Sequence, residues 1–165
     1  MSDNIYVVSM LDQTVVADET LVIIHTASAF SSRASNVEIL RAGVSQSGTS
    51  TSQQLGIRVG TKASAFGTYT STTPASFTPG AVASGIAGGT AGAAATAGTD
   101  ASAEGAGTFT DMWSEGFNNL AGWLYIPTPE ERIVIPADTA FAIKLRGTPT
   151  TLTNWNAFVV FRELT

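Results

Sequence analysis

The sequence has no cysteine, a single histidine and few charged residues. Of its 165 residues, 13% are charged and only eight are Lys or Arg, whereas an average soluble domain is roughly a quarter charged. The absence of cysteine excludes disulfides, thiolate zinc sites and cysteine nucleophiles. A metal site would have to be built from carboxylates and His25. We therefore expect no catalytic residue, no cofactor and no metal, and we predict a structural or binding protein rather than an enzyme.

Basic residues are too few and too scattered for a nucleic-acid interface. The formal net charge is −5 and the isoelectric point is about 4.6, and phosphate binding needs clustered Lys and Arg. Long apolar runs are missing as well, since a run such as residues 21–24 is far too short to cross a bilayer. Residues 1–4 are acidic, and no cleavable signal peptide follows them. We expect synthesis in a cytoplasm, with neither nucleic acid nor membrane as a partner.

The sequence does contain apolar residues that alternate with polar ones, which is typical of strands with one buried face. Between Ile39 and Leu40 the apolar phase shifts, as a β-bulge would cause. Residues 157–161 are apolar on both faces, which predicts a central strand or one lying under a subunit contact. The candidate strands are residues 5–11, 21–26, 37–44, 55–60, 122–126, 132–135, 141–146 and 157–161. About eight strands predict one all-β domain over residues 1–165, a β-sandwich or jelly roll.

The middle of the chain lacks large apolar side chains. Residues 80–107 are rich in Ala and Gly, with Thr and Ser between them. This composition predicts a long small-residue loop over residues 72–107, joining two strands of the sheet. The alternative is a segment ordered by packing on a neighbouring subunit, because small residues allow close backbone approach. Residues 116–120 are predicted to form a short turn of helix.

Four aromatic residues follow this loop: Trp113, Phe117, Trp123 and Tyr125. Their side chains fill the sandwich core, anchor an interface, or stack on sugars, and the sequence leaves these three alternatives open. Sugar stacking would require Trp123 and Tyr125 to form an exposed flat platform. An enzyme would require carboxylates to converge in a pocket, for example those of Asp111, Glu115 and Glu130.

The order of features resembles that of the capsid decoration, or cement, proteins of tailed phages. The stretches that carry the resemblance are residues 36–45, 55–59, 122–136, 141–145 and 157–164, which include Gly-Trp-Leu-Tyr-Ile-Pro-Thr-Pro-Glu-Glu-Arg-Ile-Val-Ile-Pro. The resemblance implies a jelly-roll fold, no catalytic residues and a virion structural protein on the outer capsid surface. It also implies a homotrimer that binds the major capsid protein and stabilises contacts between capsomers.

The residues themselves offer candidates for the contacts with partners. An extended N-terminal arm over residues 1–12 would reach a neighbour by strand addition. The predicted interface residues, from this arm and from the aromatic group, are Ile5, Tyr6, Val7, Trp113, Phe117, Trp123 and Tyr125. Alternative functions are another virion component such as a head-fibre, tail or adhesin module, or a carbohydrate-binding β-sandwich. A trimeric ligand of the cytokine type is a further alternative, but such a ligand would normally carry a secretion signal, and we predict none here.

Overall fold

The computed structural model describes residues 5–26, 36–63, 66–76 and 95–164, and 62% of these residues lie in strands. The only helical element among them is a 3-10 turn, Pro129–Glu131. The strands are β1 (Ile5–Gln13), β2 (Thr20–His25), β3 (Asn36–Gln46), β4 (Gln54–Lys62), β5 (Thr68–Thr72), β6 (Ala75–Ser76), β7 (Thr96–Ala103), β8 (Thr110–Asn118), β9 (Trp123–Tyr125), β10 (Val134–Ile135), β11 (Ala140–Arg146) and β12 (Trp155–Leu164). They form two antiparallel sheets that pack together, so the prediction of an all-β sandwich is confirmed.

The two sheets have six strands each among the described residues. Sheet A has the order β10-β3-β12-β1-β6, and β9 also pairs with β3. Sheet B has the order β5-β7-β2-β11-β4-β8. The apolar β12 lies between β3 and β1, which confirms its prediction as a central strand.

The pairing of strands is nested along the chain. β4 pairs with β8, β3 pairs with β9 and β10, β2 pairs with β11, and β1 pairs with β12. The first strands of the chain therefore pair with the last strands in reverse order, as in one long hairpin. Successive pairs of strands lie alternately in sheet A and in sheet B.

The predicted bulge in β3 is present. Val160 pairs with Arg41 and Phe161 pairs with Ile39, so Leu40 is an extra residue on the β3 side. A bulge of this kind bends the strand and increases its twist. The shift lets Ile39 and Ala42 both point into the core, although three positions separate them.

The core lies between the inner faces of the two sheets. Its largest fully buried side chains include Trp155, Phe141 and Phe161. The indole N–H of Trp155 donates to the carbonyl oxygen of Thr151 at 3.0 Å, so this polar group is satisfied where water is excluded. Aromatic and branched aliphatic side chains at alternating positions of β1, β3, β4, β11 and β12 supply most of the remaining core.

Three predictions about local structure were wrong. Residues 5–12 of the predicted arm belong to β1, which pairs with β12 and β6 inside sheet A; residues 1–4 lie outside the described part. Residues 75–76 and 96–103 of the predicted 72–107 loop form β6 and β7, while residues 77–94 lie outside the described part. The predicted helical turn at residues 116–120 is instead the end of β8 followed by a turn.

Candidate interaction surfaces

The three predicted interface residues of β1 lie on opposite sides of sheet A. Ile5 and Val7 are half-buried and point away from the core, because successive strand residues alternate between faces. Tyr6 points inward, is only 3% exposed, and its ring centroid is 5.6 Å from that of Phe161. Tyr6 therefore belongs to the core of this chain, and its assignment to a surface is corrected.

The outer side of sheet A carries a largely apolar surface, which we call the sheet A face. Its apolar side chains are Val7, Leu11, Phe158 and Val160, and Ser9, Arg41, Ser45 and Asn156 lie among them. Val7 and Arg41 both pair with Val160 in adjacent strands, which places these three side chains in one row. Leu11 is 69% exposed. These residues line a shallow depression of about 280 Å³.

Gly43 keeps the sheet A face flat. A Cβ atom at this position would lie 2.6 Å from Cε1 of Phe158, so only glycine lets the ring lie down against the sheet. The guanidinium of Arg41 lies 5.3 Å from the centre of the same ring, at cation–π distance. Arg41 forms no ion pair with any residue that the structure describes. The result is a flat, largely apolar surface that carries a few polar side chains and one positive charge.

Sheet B is different, because the chain itself covers its outer side at β2 and at the start of β11, although the groove at Gly56, Gly116 and Arg146 stays open. Ile23, Ala140 and Ala142 on that side are buried beneath Phe66, with Tyr69 and Phe109 packed around them. The side chain of Lys144 is also largely buried there and forms an ion pair with Glu104 at 2.8 Å. Burial raises the pKa of Glu104, but hydrogen bonds from Lys144 and Thr20 outweigh this effect and lower the pKa below its usual range. Within the described residues, this part of sheet B is thus covered, whereas the sheet A face is open.

The four predicted aromatic residues lie at the edge of the sandwich where β8 of sheet B and β9 of sheet A face each other. Phe117 is 6% exposed and packs edge-on against Trp155, with ring centroids 6.5 Å apart. Trp123 is 7% exposed, whereas Trp113 is 47% exposed. Phe117 and Trp123 therefore fill the core, and Trp113 closes the opening between the two sheets.

Glu115 holds this edge together. Its Oε2 accepts hydrogen bonds from the indole N–H of Trp113 at 3.2 Å and from that of Trp123 at 3.1 Å. Tyr125 stacks on Trp123 with centroids 6.3 Å apart and meets Trp113 edge-on at 6.0 Å. One carboxylate thus connects the edge strand of sheet B with sheet A.

The phenol of Tyr125 is also fixed in place. Its hydroxyl donates to the carbonyl oxygen of Glu131 at 2.8 Å. Burial, and then the charge of Glu131, raise the pKa of Tyr125 above its ordinary value. The phenol therefore stays neutral and keeps its hydrogen bond across the neutral pH range.

The exposed side chains around this edge form a second apolar surface, which we call the β8–β9 rim: Trp113, Leu124, Tyr125, Ile126 and Glu131. They line a groove of about 240 Å³. Ile126 is 66% exposed and Leu124 is 58% exposed. Leu124 lies opposite Gly43, so the β8–β9 rim adjoins the sheet A face.

The structure does not bring the two groups of predicted interface residues together into one site. Ile5 and Val7 border the sheet A face, whereas Trp113 and Tyr125 belong to the β8–β9 rim. Sequence reasoning missed Leu11, Arg41, Leu124 and Ile126 as surface residues. The signal for Leu124 and Ile126 was present, because they alternate with the inward-facing Trp123 and Tyr125.

A pair of carboxyl groups, the buried Glu19 and the half-buried Asp100, lies elsewhere, where the β1–β2 connection meets β7. Glu19 is 5% exposed, and its side chain hydrogen-bonds to that of Asp100. The backbone N–H of Val16 donates to Glu19 Oε2. Burial, and then the contact with Asp100, raise the pKa of Glu19 to about 8. Glu19 therefore carries a proton at neutral pH and donates it to Asp100, which ties the connection to the sheet.

The carboxylates considered for catalysis are engaged in different contacts. Asp111 forms a two-pronged ion pair with Arg58, at 2.8 Å for each oxygen, while Glu115 accepts the two indoles. Glu130 is exposed in the 3-10 turn. Among the described residues, no group of three or more His, Cys, Asp or Glu side chains is arranged to hold a metal ion.

The geometry defines the class of protein as an all-β chain with two packed sheets and two adjoining apolar surfaces. No helix in the described part of the chain has the length and apolar character needed to span a membrane. Comparisons with family models, with curated proteins and with solved structures find no match.

Proposed function

We propose that this chain is a virion structural protein, a decoration or cement protein that binds the outer surface of a phage capsid. In this proposal it acts as a homotrimer, contacts the major capsid protein and stabilises contacts between neighbouring capsomers. The sequence resemblance described above supports the proposal. A rigid body of two sheets suits such a protein, because its function depends on shape and contact rather than on chemistry.

The nested strand pairing supports a jelly roll as the finer description of the fold. A jelly roll arises when one long antiparallel hairpin is rolled so that its paired arms alternate between two sheets. Here the pairs β1·β12 and β3·β9 lie in sheet A, and the pairs β2·β11 and β4·β8 lie in sheet B. We infer that the chain follows this pattern, with β5, β6, β7 and β10 as additions at the sheet edges.

The observation that carries the proposal is the contrast between the two outer sides of the sandwich. The chain covers the outer side of sheet B at β2 and β11 with Phe66, Tyr69 and Phe109, whereas the largely apolar sheet A face stays open, with Leu11 69% exposed. An exposed apolar surface next to polar residues is typical of a protein–protein contact. The chain is therefore suited to functioning within a larger assembly.

The geometry favours this function over carbohydrate binding. A sugar platform requires exposed aromatic faces, but Trp123 is buried and Tyr125 stacks directly on it. Of the four aromatic residues, Trp113 is the most exposed, at 47%, and the half-buried Tyr125 presents only part of its ring, so no flat platform forms. A head-fibre, tail or adhesin module remains the alternative among virion components, because the same surfaces suit any of these assemblies.

The test is the position of the chain in particles of the virus that encodes it, mapped by electron cryomicroscopy. Density for the two-sheet body outside the capsid shell, at threefold or quasi-threefold positions, is the expected result. Density on the tail or on a fibre would move the chain to the alternative virion function. Particles that lack the chain would contradict both.

A further inference from the structure

We propose that copies of this chain associate head to tail, with the sheet A face of one copy bound to the β8–β9 rim of the next. This proposal takes the homotrimer from the proposed function and names the two surfaces that build it. The occupant of each surface is a second copy of the same chain.

The first argument is that one chain carries two unlike apolar surfaces. The sheet A face is flat, because Gly43 lets Phe158 lie against the sheet, and it contains a shallow depression. The β8–β9 rim presents the side chains of Leu124 and Ile126, which are among the most exposed apolar groups in the described chain. A twofold contact would use one surface twice and leave the other open to water, whereas a head-to-tail contact covers both.

Charge complementarity is the second argument. The sheet A face carries Arg41, whose guanidinium has no carboxylate partner among the described residues. The β8–β9 rim carries the opposite charge, since Glu131 lines its groove and Glu130 is exposed beside it. A contact between the two surfaces places a positive group against negative ones, whereas a contact of either surface with itself brings like charges together.

The position of the two surfaces supports a small closed ring. They adjoin at Leu124, which lies on the outer side of sheet A opposite Gly43 and also lines the groove of the β8–β9 rim. Because the two surfaces share an edge instead of lying on opposite sides of the chain, copies bound head to tail do not stack in a straight line. A repeated head-to-tail contact whose rotation closes gives a ring, which is the homotrimer of the proposed function.

The experiment uses two charge-introducing variants at exposed positions, so that folding is retained. The face variant is Leu11→Glu with Arg41→Glu, and the rim variant is Ile126→Glu alone, because Leu124 borders both surfaces. Leu152→Glu is the matched control, because Leu152 is 40% exposed and belongs to neither surface. Native mass spectrometry and light scattering measure the oligomer of each purified chain, and thermal unfolding verifies that each variant is folded.

The proposal predicts a particular result for the mixture. The parent chain and the control form trimers, and each variant alone is monomeric. An equimolar mixture of the two variants forms a one-to-one dimer, because the intact rim of one variant binds the intact face of the other. A rim variant that keeps the parent oligomer, a mixture that stays monomeric, or a monomeric parent chain would each overturn the proposal.

Cross-linking provides a second measurement, which the cysteine-free sequence makes simple. Leu11→Cys and Ile126→Cys are prepared separately, mixed, and treated with a short bis-maleimide. A head-to-tail contact gives cross-linked dimers in the mixture and few in either variant alone, whereas a twofold contact through the sheet A face cross-links Leu11→Cys with itself. Both measurements use the isolated chain, whereas the test of the proposed function uses virus particles. The head-to-tail contact can therefore be refuted while microscopy still places the chain on a capsid, and the capsid position can be refuted while the head-to-tail contact holds.

Discussion

The carboxyl pair of Glu19 and Asp100 predicts a specific pH dependence of stability. Glu19 is 5% exposed, and its pKa is raised from 4.5 to about 8 in the folded chain. The folded state therefore binds more protons than the unfolded state between these two pH values. Because protons favour the state that binds more of them, the contribution of Glu19 to stability is fully present below about pH 4.5 and is lost as the pH rises to about 8.

The substitution that tests this is Glu19→Gln. A glutamine amide has the shape of the protonated acid, so its oxygen can accept from the N–H of Val16 and its NH₂ can donate to Asp100 at every pH. Each pKa unit corresponds to about 1.4 kcal/mol, so the shift of Glu19 sets an upper limit of roughly 5 kcal/mol. Relaxation of the connection and sharing of one proton between two acids reduce this, and we expect the variant to be more stable than the parent by about 2 kcal/mol at pH 8.5.

The assay is urea denaturation of the parent and of Glu19→Gln at pH 5, 7 and 8.5, with Glu130→Gln as a control at an exposed carboxylate. The difference in unfolding free energy between Glu19→Gln and the parent should be small at pH 5 and should grow with pH. The control should follow the parent throughout. A difference that is the same at all three pH values would refute the assignment of a shared proton to this pair.

Two further predictions concern packing. Gly98→Val should destabilise the chain by about 1–3 kcal/mol in urea denaturation, because a Cβ atom there would lie 2.1 Å from Cδ2 of Tyr69, whereas Gly116→Ala, with its nearest atom 3.8 Å away, should leave the denaturation midpoint nearly unchanged. Trp155→Ala should cost about 3–5 kcal/mol in the same assay, because this side chain is fully buried, while Trp113→Ala at a half-exposed position should cost about 1 kcal/mol or less. Equal losses for the two tryptophan variants would show that the core is not centred on Trp155.

The strands that could be predicted from the sequence are those whose two faces differ. β4 and β11 alternate between the core and the outer side, so period-two alternation located both. β12 is apolar on both faces and was predicted as central for that reason. In each case the pattern along the chain reports directly on the environment of the side chains.

The strands that were missed have no such contrast. β8 is exposed over its first seven residues because it forms the edge of sheet B, so no alternating pattern marks it. β7 consists of Thr, Ala, Gly, Asp and Ser because Tyr69 packs directly on Gly98, which excludes larger side chains. The small residues predicted a loop, but here they reflect close packing against a neighbouring strand.

The surfaces were predictable only in part, because burial depends on which strands become neighbours. Tyr6 lies between Ile5 and Val7 on β1, but its side chain points to the opposite side of the sheet. The pairing of β1 with β12 fixes which of the two sides faces the core. Glu115 was considered as a catalytic acid, but its two indole partners are contributed by β8 and by the separate strand β9. Pairings of this kind are not recorded in the local sequence.

The nested pairing has a consequence for how the chain acquires its structure during synthesis. β1 is the first described strand to leave the ribosome, yet its long partner is β12, the last described strand. Until residues 155–164 are available, β1 and β3 each lack the neighbour that separates them in sheet A. Until then the unpaired backbone N–H and C=O groups along their edges stay open, so sheet A is completed only once β12 has emerged, and chains that lack β12 are the species most prone to pair with one another.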